Sequence, residues 1–254
     1  MMDIKLIRNA TLVIEYANKK FLVDPMLAER GTYPALPETI RQDTFNPLVS
    51  LPTTLDTILN GVDAVIVTHL HRDHFDDIAK NVLPKDIKMF VQNEADAKEV
   101  ENIGFRNVEV LQQNTVFEGI QLVKTKGEHG RSEELLKLMG EVSGVVFKHP
   151  SEKTLYVAGD TVWYDGVQEE VDTHKPDIIV VNGGDNLWSL GPLIMGKEDI
   201  YEVYKAAPNA KIISVHMEAV NHWILSREEL KSFSKEKGIS ANIFVPDDGE
   251  SYTF

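Results

Sequence analysis

The sequence contains no cysteine. A disulfide framework, a thiolate nucleophile and any zinc or iron–sulfur site with sulfur ligands are thereby excluded, so a metal in this protein has to be held by histidine and carboxylate. Basic side chains are scarce beside acidic ones: 26 Lys and Arg stand against 40 Asp and Glu, a formal net charge of -14. Phosphate backbones reward Lys and Arg, so this balance argues against DNA or RNA as the main partner. No apolar run approaches the roughly 20 residues that span a bilayer. The start, MMDIKLIRNATLVIEY, lacks the basic head, long apolar centre and small-residue cleavage site of a secretory signal. The expectation is a cytoplasmic protein with no membrane partner; the acidic surface neither requires nor forbids a homo-oligomer.

What is present is ordinary globular composition, 43% hydrophobic and 26% charged over 254 residues. Residues 3–8, 11–16 and 20–24 read as strands rich in β-branched and aromatic residues, with Asn18-Lys19 as a turn. Residues 25–54 hold five prolines, which break helix and strand alike. A connection of that length usually has a task, such as covering a site, although a plain surface excursion reads equally well. DAVIVTH at 63–69 is a near-continuous apolar strand, the pattern of one buried on both faces. Helices at 75–81 and 94–102 flank a strand at 87–91, and strands follow at 108–111 and 119–125. The pattern then restarts with strands at 143–148, 154–158, 177–181, 211–215 and 242–245 and helices at 164–172, 198–206 and 226–237. Two β-rich halves, each ending in β/α alternation and with no linker between them, predict one domain over 1–254, with two packed sheets and helices outside.

The strand at 63–68 runs straight into Thr68-His69-Leu70-His71-Arg72-Asp73-His74. Imidazole nitrogen and carboxylate oxygen are ligands for zinc and similar ions, and a short loop at a strand end can present several of them to one point. The chain has only eight histidines, which makes this density a metal signal rather than a polar loop rich in histidine by chance.

This His-x-His-x-Asp-His motif resembles that of the metallo-β-lactamase-fold superfamily. The remaining ligands of that pattern follow in order: His129 in Gly127-Glu128-His129-Gly130, Asp160 in Ala158-Gly159-Asp160-Thr161 and His216 in Ser214-Val215-His216-Met217. The resemblance implies an α/β fold, a four-layer αββα sandwich of two mixed β-sheets flanked by helices. It places one metal on His69, His71 and His129 and a second on Asp73, His74 and His216, with Asp160 bridging. Two divalent ions are implied, zinc first, with Mn2+ or Fe2+ as alternatives. Such ions share a hydroxide that attacks an ester, a lactone or a phosphodiester of a small molecule. Asp73 would then be catalytic as well as ligating, orienting the nucleophile.

Within the superfamily, His71 stands where oxygen-reducing di-iron relatives have Glu, which favours hydrolysis. The lack of a leader and of a Cys ligand disfavours antibiotic degradation. The chain looks most like the compact group that includes ascorbate-6-phosphate lactonase; the stretch at 25–54 is its departure. A nuclease or phosphodiesterase resembling ribonuclease Z is the second enzymatic reading, and a non-catalytic metal-binding protein on the same fold is the third. Further candidates are Asp24, which supports the ligand loop in relatives, and His222, six residues past His216, as a catalytic proton donor or anion contact. Trp163 and Tyr164 are candidates for the pocket wall, against simple packing. Gly183-Gly184-Asp185-Asn186 is expected on the same sheet edge as the metals, and His149 and His174 read as exposed loop residues without a role.

Overall fold

The computed structural model describes all 254 residues. Its first part supplies β1 (Asp3–Arg8), β2 (Thr11–Tyr16), β3 (Lys19–Val23), α1 (Leu55–Leu59), β4 (Ala64–Val67), α2 (Asp77–Val82), β5 (Lys88–Val91), α3 (Glu94–Asn102) and β6 (Val108–Val110). Then come β7 (Thr115–Phe117), β8 (Ile120–Lys126), α4 (Glu133–Met139), β9 (Ser143–Lys148), β10 (Leu155–Val157), α5 (Asp165–His174) and β11 (Ile178–Asn182). The last are β12 (Leu187–Trp188), β13 (Gly191–Pro192), α6 (Lys197–Ala206), β14 (Lys211–Val215), α7 (Arg227–Glu236), β15 (Ile243–Phe244) and β16 (Ser251–Thr253).

Two seven-stranded sheets result, ordered β16-β1-β2-β3-β4-β5-β6 and β15-β14-β11-β10-β9-β8-β7. Each begins with antiparallel pairs and passes into parallel β/α units: β3 to β6 in one, β10, β11, β14 and β15 in the other. The inner faces pack on each other, with Ile14, Phe21 and Ile66 of one sheet meeting Leu122, Phe147 and Val180 of the other. Outside, Ile58 of α1, Ala79 of α2 and Val100 of α3 cover the first sheet. Val171 of α5, Ile200 of α6 and Leu230 of α7 cover the second. The order of layers is therefore αββα. Strand β4 shows why its sequence is continuously apolar: Ile66 enters the core between the sheets while Val65 and Val67 face the helices. No helix is long and apolar enough to cross a membrane.

The β2–β3 hairpin differs by one residue from expectation. Tyr16 pairs with Lys19, so Ala17 and Asn18 form the loop, at φ 49° and 62°. A two-residue hairpin loop of this hand needs positive φ at both positions, which Asn tolerates well.

Residues 25–54 form no strand or helix, only a bridge between Tyr33 and Asn46. They are nevertheless fastened at two points. Arg8, fully buried, donates from Nη2 to the carbonyls of Met26 (2.6 Å) and Ala28 (2.9 Å) and from Nη1 to Val49 (3.0 Å). Burial pushes its pKa down to about 10, so it stays charged at neutral pH. Asn221 accepts at Oδ1 from Leu36 N–H (3.0 Å) and Asn46 Nδ2 (2.9 Å) and donates from Nδ2 to Thr39 Oγ1 (2.8 Å) and Ile40 O (2.9 Å).

Candidate metal centre

All seven residues of the ligand pattern meet where β4, β8, β10 and β14 run out into loops. One ligand atom each from His69, His71 and His129 lie within 4.8 Å of one another. The same holds for Asp73, His74 and His216, and for His69, His74 and Asp160. Asp160 Oδ2 is 3.2 Å from His74 Nε2, 3.4 Å from His129 Nε2 and 3.9 Å from His69 Nε2, so this carboxylate reaches both halves of the cluster. Asp73 Oδ2 lies 3.1 Å from His216 Nε2.

The far sides of these groups are held from below. Asp24 accepts Thr68 N–H (2.8 Å) on one oxygen, and on the other it meets Thr68 Oγ1 (2.7 Å) and His74 Nδ1 (2.8 Å). One buried carboxylate therefore fixes both the start of the ligand loop and the ring of His74, leaving Nε2 for the cluster. His129 Nδ1 meets Leu193 O at 2.9 Å, and Asn182 Nδ2 donates to Asp160 Oδ1 at 2.5 Å. Asn186 contacts both His216 Nδ1 (3.3 Å) and His222 Nε2 (3.2 Å). Asn9 donates to Asp73 O at 2.9 Å. The Gly183–Asn186 loop thus lies on the same edge as the His/Asp cluster, as expected, and Gly184 is needed there: a Cβ would come 2.2 Å from the carbonyl oxygen of His216.

The titratable groups of the cluster act strongly on one another. Burial opposes the charge of Asp73 and Asp160, yet His74 and its neighbouring imidazoles hold both carboxylates well below the usual range. Burial likewise opposes a charge on His74, but Asp160, Asp24 and Asp73 outweigh it and hold its pKa well above 6.5. His69 and His71 are pushed down, first by burial and then by neighbouring imidazoles. His69 Nε2 is buried with no hydrogen-bond partner, an arrangement that is costly unless something else binds that lone pair. Five imidazoles and two carboxylates, with no thiolate, fit Zn2+, Mn2+ or Fe2+.

A cavity of about 380 Å³ opens on this cluster. Tyr33 to Pro37 and Asn46 form its roof, Trp188 and Met139 its sides, and His71, Asp73, His129 and Asp160 its floor. The stretch at 25–54 therefore does cover the site. Its cover is tied to the β12–β13 hairpin by Trp188 Nε1, which donates to Pro37 O at 2.9 Å. Arg72 is the only Lys or Arg of the lining, its guanidinium 5.0 Å above the Tyr33 ring. His222 also lines the cavity and is 7% exposed; burial pushes its pKa down to about 4.

Trp163 and Tyr164 do not line the cavity. They pack on the cluster between the second sheet and its helices, because the chain turns outward into α5 after Asp160. His149 bonds Ser151 at the surface, whereas His174 is not a loop residue: it ends α5 and pairs with Glu170 at 3.1 Å. Asn9, Asn182, Asn221, Arg72 and Trp188 escaped the sequence reading. Lone asparagines carry no spacing signal, although Arg72 lies inside the ligand motif itself.

A model of the beta-lactamase superfamily domain matches residues 19–217. The chain is 80% identical to the UPF0173 protein YddR of Bacillus subtilis over the full length of both. Among solved structures it resembles an isothiocyanate hydrolase from Delia radicum gut bacteria, with 43% identity, a TM-score of 0.96 and coverage of 100% and 99% of the two chains. A protein of Veillonella parvula, described as a possible metal-dependent hydrolase, gives 39% identity and a TM-score of 0.97 over 100% of both chains. The strand-end ligand loops, the αββα layers and these likenesses agree: the chain belongs to the beta-lactamase superfamily and, within it, to the UPF0173 family of metal-dependent hydrolases.

Proposed function

We propose that the protein is a dinuclear hydrolase of small, uncharged electrophiles, with isothiocyanates as the leading substrate class. The observation that carries this reading is the cavity: a largely apolar chamber with Arg72 as its only Lys or Arg, opening directly on the His/Asp cluster. It agrees in chemistry with the substrate named for the 43% identical hydrolase. An apolar wall favours an uncharged R–N=C=S group over a phosphate, whose oxygens turned away from the ions would meet only Arg72 as a further cation. The same argument weighs against a phosphodiester or nucleic acid, and against the phosphorylated lactone of the group that the sequence resembles.

In this reading His69, His71 and His129 would hold one ion and Asp73, His74 and His216 the other, with Asp160 available to both. Divalent ions held there lower the pKa of water towards neutrality and polarise the electrophile. Asp73, reaching the cavity floor, orients the attacking water and accepts its proton. Water oxygen bonds to the central carbon, both protons of the water pass to nitrogen, one by way of Asp73, and the C–N bond breaks: R–NCS + H2O gives R–NH2 + COS. His222, held neutral by burial, contributes a hydrogen bond at the wall rather than a proton. Zinc is the first choice for both sites.

The test follows the product of each substrate with metal-reconstituted protein, amine from isothiocyanates, hydroxy acid from lactones and alcohol from phosphodiesters, with metal counted per chain. We expect two ions per chain, turnover of isothiocyanates, and a loss of at least about a thousandfold in His69→Ala and Asp73→Ala with the melting transition retained. Hydrolysis of phosphodiesters alone, or a metal content below two, overturns the reading.

A further inference from the structure

A second depression, of about 330 Å³, reaches the same cluster from another side. His69 and His71 form its inner wall, and Asp96, Glu99 and Glu141 are its charged groups, with no Lys or Arg in the lining. None of these three carboxylates makes an ion pair. Two further observations point to a cation. Gln92, 3% exposed and part of this wall, has a buried Oε1 without a partner although its Nε2 donates to Asp96 at 3.0 Å. His69, also in the wall, has its Nε2 without a hydrogen-bond partner. His71 and Met139 line both spaces, so they form the partition between an apolar chamber and an acidic one.

We propose that this acidic depression is the route by which divalent metal ions reach the candidate metal centre, drawn in by Asp96, Glu99 and Glu141. The inference rests on the reading of the His/Asp cluster as a metal site. A hydrated dication gains nothing from the apolar roof of the main cavity, where it would shed water without replacement. Carboxylates that remain unpaired beside His69 and His71 concentrate cations at the ligands and raise the rate of encounter. Burial pushes the carboxyl of Asp96 up, and Glu99 and Glu141 add to this, while the hydrogen bond from Gln92 and the charge of Lys124 oppose it.

The experiment follows Zn2+ uptake by chelator-stripped protein in a stopped-flow instrument with a fluorescent zinc indicator. The double variant Glu99→Gln/Glu141→Gln should take up Zn2+ roughly tenfold more slowly at low ionic strength, a gap that closes in high salt. Its final zinc content, its affinity and its melting transition should equal those of the wild type. Arg72→Gln, on the side of the apolar cavity, should leave the uptake rate unchanged. Equal rates in the double variant, a change in equilibrium affinity instead of rate, or faster uptake in Arg72→Gln alone would each overturn the route. A wild type that takes up no zinc would bring down the metal-site reading itself, which separates the two failures.

Discussion

The floor and the roof of the cavity are built on different principles. The floor consists of loops that leave buried strands, and three of the candidate ligands there are braced by a second buried side chain: Asp24 behind His74, Asn182 behind Asp160, Asn186 behind His216. The roof is a proline-rich segment with no regular structure, fastened by side chains of Arg8, Asn221 and Trp188 to backbone carbonyls. Strand ends fix the atoms that do chemistry, and a loop free of any ladder sets the shape that selects what enters. Changes in the floor should therefore alter metal binding and turnover, and changes in the roof should alter recognition.

Among changes behind the candidate ligands and in the roof, the largest effect is expected from Asp24→Ala. It strips the brace from His74 and from Thr68 together, and metal affinity should fall by about a hundredfold in competition with a chelator; unchanged affinity would make Asp24 a mere turn residue. Asn221→Ala leaves Leu36 N–H and Ile40 O unpaired in the roof, at a cost of about 2 kcal/mol. KM should rise about tenfold in steady-state assays while kcat holds within about twofold. A fall in kcat at constant KM would assign the roof to chemistry and erase the distinction.

His222 tests the wall between the two regions through pH. Its folded pKa of about 4 lies below the unfolded value near 6.5. Between those values the unfolded chain binds the proton, so the contribution to stability is complete above about pH 6.5 and is lost as pH falls towards 4. Chelator-treated wild type should lose about 2 kcal/mol more than His222→Gln between pH 7 and 5, read by urea unfolding. Parallel curves would mean that the ring is not held neutral. The smallest change is Trp188→Phe, which removes one hydrogen bond and keeps an aromatic, though smaller, side chain; KM should rise by no more than about fivefold, equivalent to roughly 1 kcal/mol. A larger effect would make the roof a single-point latch.

The same division governs what could be read from the sequence. His69, His71, Asp73 and His74 follow a strand whose every residue is apolar, and Asp160 and His216 follow largely apolar ones, so pattern and ligand appear together there; His129 follows β8, where Gln121, Lys124 and Lys126 interrupt the pattern. The layers were legible for the same reason: β4, β11 and β14 are buried along nearly their whole length. The roof was visible only as a run of prolines, because its order comes from Asn221 and Arg8, each far away in sequence. Helix α4 was missed although Ser132 caps it and Gly140 ends it at φ 77°; its seven residues bury only Leu135 and show little period. Strand β16 pairs Tyr252 with Ile4 across nearly the whole chain, and its two outer residues are exposed, so no local apolar signal announces it.

His216 has a further consequence. Its backbone lies at φ 59°, a left-handed conformation that an imidazole-bearing residue adopts at a cost of about 1 kcal/mol and that Gly or Asn would accept more readily. The backbone N–H is nonetheless held by Asn9 O at 2.8 Å, so the kink persists in the folded chain whatever side chain stands there. Stability alone would drift this position towards Asn or Gly. A histidine there is what the proposed metal role of its ring asks for, against the preference of the backbone.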